Sequence, residues 1–131
     1  MASRRYNEDT MNTAIIIAML LLTNADRATV PHLQPLVYSA DISQRAQSRA
    51  QYLCTHPFSH GTYGTPSEWT NWMQGISGYI GENLAEGFPD ATSTNAALMA
   101  SPEHRDNILD VHYSRIGIGN ACGVTVEEFA S

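Results

Sequence analysis

The side chains that could carry chemistry are five histidines, thirteen carboxylates and two cysteines, and their spacing excludes the common reaction centres. The sequence has no HExxH pair for a zinc protease and no Gly-x-Ser-x-Gly turn for a serine hydrolase. It also has no lysine, which excludes a P-loop and Schiff-base chemistry. His56 and His60 have an H-x3-H spacing, which on a helix would place both rings on one face. Pro57 between them breaks the helical geometry that would align the rings. We therefore interpret His56 as a surface residue.

The two cysteines, Cys54 and Cys122, lie far apart in the sequence. They cannot form a CxxC redox pair or a cysteine zinc cluster within one chain. Either a disulfide or two inert thiols is compatible with the sequence, and the spacing alone does not choose between them.

Composition limits the class of protein and its partners. A chain of 131 residues with 43% apolar content is long enough for one domain, residues 1–131, with its own core. The formal net charge is −6 and there is no run of basic residues. Nucleic-acid binding needs clustered Lys and Arg, so we expect no nucleic-acid partner.

The N-terminal region has two possible interpretations. Arg4 and Arg5 precede an unbroken apolar run at residues 14–22, as in a secretory signal peptide. However, Glu8 and Asp9 suit a helix N-terminus better than a positively charged leader. We predict a buried first helix over residues 10–29, preceded by an extension at residues 1–9. Nine apolar residues are too few to cross a bilayer, so no transmembrane segment is expected.

The rest of the chain is typical of an α+β fold. Ser39 can cap a second helix whose apolar positions lie one turn apart, with Arg45 and Arg49 predicted to face outward. Residues 57–81 are rich in Gly, Ser and Thr and predict loops with one short helix near residues 67–74. Two further helices are expected at residues 92–100, capped by Thr92 or Ser93, and after Ser101. Alternating residues 115–120 and 123–129 predict a β-hairpin.

Six sequence elements occur in an order that resembles the CAP (SCP) superfamily, which is named after cysteine-rich secretory proteins, antigen five and pathogenesis-related proteins of group one. The short bacterial and phage-type branch is the most similar, from about residue 19 to the end of the chain. The elements are Leu21-Leu-Thr-Asn-Ala-Asp-Arg27, Leu36-Val-Tyr-Ser-Ala-Asp-Ile42, Phe58-Ser-His60, Gly81-Glu-Asn-Leu-Ala85, Ser101-Pro-Glu-His-Arg-Asp-Asn-Ile-Leu109 and Ile116-Gly-Ile-Gly119.

The resemblance implies an α-β-α sandwich with a small antiparallel sheet between helical layers and a cleft on one side. It also implies that His60, Glu82 and His104 line that cleft and bind the ligand. Many members add a glutamate from the helix before the second histidine, but residues 92–100 contain no carboxylate. Glu86 or Glu103 could supply it instead. The family's first-helix pair, here Asn24 and Arg27, is expected to hydrogen-bond neighbouring loops.

Two imidazoles and a carboxylate are competent to bind zinc and would leave a fourth position open for water. The alternative is that His60 and His104 hydrogen-bond to Glu82 and fix the loops around the cleft. Possible zinc binding through His60, His104 and Glu82 is therefore a prediction, and no catalytic residue is assigned.

The function implied by the resemblance is an extracellular or virion-associated binding module, with a lipid, glycan or peptide as its ligand and no enzymatic activity. A metal-dependent hydrolase acting on cell-envelope material is the alternative, and a structural component of a phage particle is another. Fold alone does not choose among them.

Overall fold

The computed structural model describes the backbone of residues 2–131 and the side chains of residues 12–131. Over that part of the chain, helices and a four-stranded sheet form three layers. The helices are α1 (Ala2–Arg27), α2 (Ala40–Leu53), α3 (Ala91–Ala100) and α4 (Pro102–Ile108), with a 3₁₀ helix at Trp69–Met73. The strands are β1 (Val37–Tyr38), β2 (Ile80–Glu86), β3 (Arg115–Ala121) and β4 (Val124–Ala130).

The sheet has the strand order β1-β3-β4-β2. Its three long strands are antiparallel, as predicted, whereas the two-residue edge strand β1 runs parallel to β3, so the sheet is mixed. Helices α1, α3 and α4 pack on one face, and α2 with the 3₁₀ helix packs on the other. The α+β class and the α-β-α sandwich are therefore confirmed.

Two glycines on β3 allow α2 to lie directly on the sheet. A Cβ atom at Gly117 would collide with the backbone of Ile42, and one at Gly119 would collide with the backbone of Ala46. Because side chains alternate across a strand, the intervening Ile116 and Ile118 point to the opposite face and are fully buried beneath α1. The alternation of Ile and Gly thus sets the spacing of both helical layers.

Helix α1 is longer than predicted, beginning at Ala2 and ending at Arg27. Its apolar run is buried along only one stripe, which includes Met19, whereas Ile17 is 54% exposed and Leu21 66% exposed. The predicted helix is confirmed, but its complete burial is not. The side chains of residues 1–11, on which the signal-peptide argument rests, lie outside the described residues. In the part of the chain that is described, no helix is long and apolar enough to cross a membrane.

The end of α1 is anchored to surrounding loops by Asn24 and Arg27, as the sequence predicted. The Asn24 amide exchanges two hydrogen bonds with the backbone of Leu36, at 3.0 and 2.8 Å. Arg27 is buried and donates to four backbone carbonyls, those of Gln34, Ile108, Asp110 and Tyr113. These bonds satisfy loop carbonyls that would otherwise be buried without a partner.

The sequence predicts the start of α2 correctly, the cap of α3 wrongly and strand β2 not at all. Ser39 caps α2, since its Oγ accepts a hydrogen bond from Ile42 N at 3.2 Å. The predicted cap of α3 is wrong, because Asp90 Oδ1 accepts from Ser93 N at 2.8 Å and is the capping group. The sequence pattern does not predict strand β2, because the buried positions of this strand include Gly, Glu and Asn and therefore lack apolar alternation.

The predicted hairpin is confirmed as β3 and β4, joined by a tight turn at Cys122 and Gly123. Both turn residues have positive φ values, 44° and 77°. Cys122 forms a disulfide with Cys54, which follows the last residue of α2, and their Cα atoms are 6.0 Å apart. This bond resolves the alternative that the sequence left open.

Candidate functional site

Glu82 lies at the centre of the candidate site. It is the third residue of β2, and its side chain is wholly buried on the face of the sheet that α2 covers. Strand pairing places Glu128 of β4 directly opposite. Residues opposite each other in an antiparallel pair project to the same face, so two carboxyl groups share this buried region.

Arg49 of α2 neutralises Glu82 through a bidentate ion pair. The Arg49 Nε atom donates to Glu82 Oε2 at 2.9 Å, and Nη2 donates to Oε1 at 3.1 Å, with neither side chain exposed. The prediction that Arg49 faces outward is therefore wrong. The signal for its burial was present, since residue 49 lies three positions after Ala46 and seven after Ile42, on the same helix face.

The same guanidinium holds the loop that follows α2. Arg49 Nη2 donates to the carbonyl of Ser59 at 2.9 Å, and Nη1 donates to that of Ser67 at 3.4 Å. Arg49 thus links the sheet, α2 and a loop that has little regular structure of its own.

His60 is the solvent-accessible member of the site. Its Nδ1 atom lies 2.8 Å from Glu82 Oε1, and half of its side chain is exposed. The structure therefore brings together two of the three predicted residues, His60 and Glu82, and the fully buried ion pair fixes one nitrogen of the imidazole. The opposite side of the ring is available to a ligand.

His104, the third predicted residue, is held by a different set of contacts. Its ring Nδ1 lies 2.9 Å from Ser101 Oγ, while its backbone carbonyl accepts a hydrogen bond from Asn83 Nδ2 at 3.1 Å. Ser101 precedes α4 as predicted, but its hydroxyl contacts this ring instead of capping the helix. Asn83 projects to the opposite face of β2 from Glu82, so His104 is tied to that opposite face.

Glu128 is the carboxylate that sequence reasoning did not find. It lies on β4 next to Glu82, whereas the two suggested substitutes, Glu86 and Glu103, are exposed. Within the described residues, neither carboxyl oxygen of Glu128 accepts a hydrogen bond from a donor group. Burial and the adjacent Glu82 raise the pKa of Glu128 well above its usual value. Glu128 therefore favours its protonated form more strongly than a free glutamate does, and that form can donate a hydrogen bond to Glu82.

The pKa of Glu82 shifts in the opposite direction. Burial raises it, but hydrogen bonds with Glu128, His60 and Arg49, together with the Arg49 charge, outweigh burial and leave the pKa below its usual value. The pKa values of the two facing carboxyl groups are thus shifted in opposite directions. The only sequence signal for this pair was the position of Glu128 in a strand that pairs with β2.

A third buried carboxyl, Glu127, lies on the other face of β4. It accepts hydrogen bonds from Thr23 Oγ1 of α1 and Asn83 Nδ2 of β2, both at 3.2 Å. Burial is the largest cause that raises its pKa, to about 7. Asn107 Nδ2 of α4 donates to Asn83 Oδ1 at 2.9 Å, which extends the network to the helix that carries His104.

The carboxylate of the predicted zinc set is already paired with Arg49. Both oxygens of Glu82 accept from Arg49, and His60 Nδ1 contacts one of them. Across residues 12–131, no group of three His, Cys, Asp or Glu side chains is arranged to hold a metal. In this arrangement the donor set does not fit a metal ion, because the ion pair between Glu82 and Arg49 would first have to break. Zinc binding stays a prediction.

A pocket of about 210 Å³ opens beside the ion pair. It is lined by Arg49 and Tyr52 of α2 and by residues of the loop that Arg49 holds, among them Ser59, Thr62 and Ser67. The loop wall therefore combines residues that carry hydroxyl groups with Pro57 and Gly61. Phe58 and Tyr63 of the same loop are 39% and 91% exposed.

These features define an α-β-α sandwich domain with a buried Arg–Glu pair beneath a half-exposed histidine. Residues 20–125 match the Cysteine-rich secretory protein family, CAP, and the chain belongs to that family. It is also 35% identical over 102 residues to YkwD, an uncharacterised protein of Bacillus subtilis, covering 75% of this chain and 39% of YkwD.

Three solved structures share the fold. An extracellular protein with an SCP domain from Bacillus anthracis has a TM-score of 0.80 at 20% identity, covering 93% of this chain and 43% of that one. A cysteine-rich secretory protein from Staphylococcus aureus has a TM-score of 0.77 at 18% identity, covering 92% of this chain and 39% of that one. An outer surface protein from Borrelia burgdorferi has a TM-score of 0.70 at 18% identity, covering 87% of this chain and 92% of that one. The chain thus spans less than half the length of YkwD and of the first two structures.

Proposed function

We propose that this chain is an extracellular binding module that recognises a glycan through His60 and the adjacent pocket. The observation that carries the proposal is the wholly buried Arg49–Glu82 pair, which fixes both the half-exposed His60 ring and the pocket loop. A site held rigid before the ligand arrives loses less entropy on binding.

The pocket chemistry favours a sugar over a lipid. Its loop wall carries the hydroxyls of Ser59, Thr62 and Ser67, which match the hydroxyl and amide groups of a sugar. The exposed rings of Phe58 and Tyr63 can pack against apolar sugar faces. A volume of about 210 Å³ is small for a lipid chain.

The extracellular location rests on two observations. The three solved relatives are an extracellular protein, a secretory protein and an outer surface protein. The Cys54–Cys122 disulfide is of the kind that persists in oxidising compartments. Association with a virion stays a prediction of the same proposal, and stoichiometric copies in purified particles would test it.

The direct test is an NMR titration of the intact protein with soluble N-acetylglucosamine oligosaccharides from cell walls. We expect shifts at Ser59, Thr62 and Ser67 and at least tenfold weaker binding by His60→Ala, roughly the effect of losing one charge-assisted hydrogen bond. His112→Ala is the matched control, since His112 is 53% exposed and also lies 2.8 Å from a carboxylate, that of Asp110. Equal affinities for the two variants, or binding only to a lipid or peptide, would contradict the proposal.

The zinc prediction is tested separately by titrating zinc into the protein and measuring heat. Binding that His60→Ala and His104→Ala each abolish would support a metal site that forms when Arg49 releases Glu82. In that case, hydrolysis of cell-envelope material becomes the activity to assay. Binding unaffected by either substitution would remove these residues as ligands.

A further inference from the structure

We propose that the β1 edge of the sheet is a docking site for an extended segment of a partner protein, which pairs with the backbone of Tyr38 as an additional strand. This site lies at the opposite edge of the sheet from β2 and Glu82. It is therefore independent of the proposed glycan site.

The backbone of β1 leaves hydrogen-bonding groups directed outward. Val37 N donates to Ser114 O at 2.8 Å, and Ser39 N donates to Ile116 O at 2.9 Å, so these two residues face β3. Because successive residues of a strand alternate in direction, the N–H and C=O of Tyr38 point away from the sheet. Val37 and Tyr38 are 66% and 46% exposed. An incoming strand can therefore reach both groups without displacing any part of β1.

Tyr38 also lies where two grooves meet. One groove, of about 460 Å³, is lined on its α2 side by Ser43 and by the amides of Gln44, Gln47 and Gln51. The other, of about 370 Å³, is lined by Ile16, Ile17 and Leu20 of α1. Tyr38 and Ile16 border both grooves, which makes them continuous.

The two walls match the side chains of an extended strand. Successive side chains of a strand point to opposite faces, so one set would meet the apolar wall of α1 and the other the amide wall of α2. Among residues 12–131, no residue that lines either groove is charged, although the chain has a net charge of −6. The expected partner segment therefore has alternating apolar and polar residues, with no charge where it meets these described walls.

The rest of this side of the sheet is already closed. Beyond β1, Ser43 Oγ accepts from Ile118 N at 3.1 Å, and the Gln47 amide exchanges two hydrogen bonds with the backbone of Asn120, at 2.9 and 3.0 Å. Side chains of α2 thus cover the edge of β3, whereas in the part of the chain that is described no group donates to or accepts from the backbone of Tyr38. This contrast localises the docking site to β1.

The test begins with selection of displayed random nonapeptides on the intact protein. The enriched sequence is then synthesised in two forms, one with N-methyl groups on its odd-numbered residues and the other with N-methyl groups on its even-numbered residues. Because an edge strand pairs on one side only, one form should bind at least about tenfold more weakly and the other should bind nearly as well as the parent peptide. Slower hydrogen exchange at the Tyr38 amide should accompany binding.

Protein variants locate the contact. Ile17→Ser should weaken binding severalfold, whereas Leu21→Ser, one turn further along α1 and outside both grooves, should not. Tyr38→Pro, which removes the outward N–H, should bind more weakly than Tyr38→Ala, with thermal unfolding used to confirm that both variants fold.

Four results would overturn the proposal. The first three are the absence of any enriched sequence, equal tolerance of both methylated forms, and shifts at His60 in place of Tyr38. Protection of the Tyr38 amide that rises with protein concentration alone would identify a second copy of this chain as the occupant and would also overturn it.

Discussion

Glu82 and Glu128 face each other across the β2–β4 ladder with both side chains buried, and only Glu82 is paired with an arginine. Two adjacent carboxylates cannot both be ionised in such a site without strong repulsion. Raising the pKa of Glu128 and lowering that of Glu82 resolves the conflict.

The first prediction concerns Glu128→Gln. A group whose pKa is raised on folding stabilises the protein at acid pH, and that contribution is lost as pH rises through the folded-state pKa. Glutamine imitates the neutral acid and does not ionise. We expect the variant to gain stability relative to the wild type as pH rises above the usual glutamate pKa, measured by urea unfolding. A stability difference that is constant with pH would contradict the raised pKa of Glu128.

The second prediction concerns Glu127→Gln, on the opposite face of the sheet. The pKa of Glu127 rises from 4.5 to about 7, so wild-type stability should fall by about 3 kcal/mol from this group as pH rises across that interval. Glutamine can still accept from Asn83 and can donate to Thr23. The variant should therefore keep the fold, and its stability should not show this fall with pH. Unfolding curves at several pH values measure the difference. A decline of the same size in the variant would contradict the assignment.

The third prediction concerns Arg49→Met, which removes one partner of the buried ion pair. The remaining Glu82 carboxylate loses its counter-charge, and the loop carbonyls of Ser59 and Ser67 lose their donor. We expect a loss of about 3–5 kcal/mol in the free energy of unfolding. Arg105→Met, on the exposed surface of α4, is the matched control and should change stability by less than about 0.5 kcal/mol. Similar losses for both variants would mean that the pair contributes no more than a surface arginine does.

The fourth prediction concerns the disulfide between Cys54 and Cys122, whose sequence separation is 68. It closes a loop that contains His60, the 3₁₀ helix and β2. Chain-entropy arguments give about 4 kcal/mol for a loop of this length. The Cys54→Ser/Cys122→Ser double variant should lose stability of that order, and a reductant should destabilise the wild type but leave the double variant unchanged. Thermal unfolding with and without the reductant measures both effects.

The sequence by itself determined most of the architecture. The caps and helical spacing of α2, the Ile-Gly alternation of β3 and the hairpin turn are local signals, and each depends on residues close together in the chain. The six family elements fixed the fold class and identified His60 and Glu82, which are in contact in the structure.

Only the tertiary structure decided how charge is arranged around Glu82. Arg49, Glu82 and Glu128 come from three different elements, and their separations in sequence hide the fact that they meet. The helix spacing of α2 placed Arg49 on the buried face but did not identify its carboxylate partner, and Glu128 resembles an exposed strand residue until α2 covers it. Ion pairing and ionisation at this site follow from which elements pack together, which local pattern does not encode.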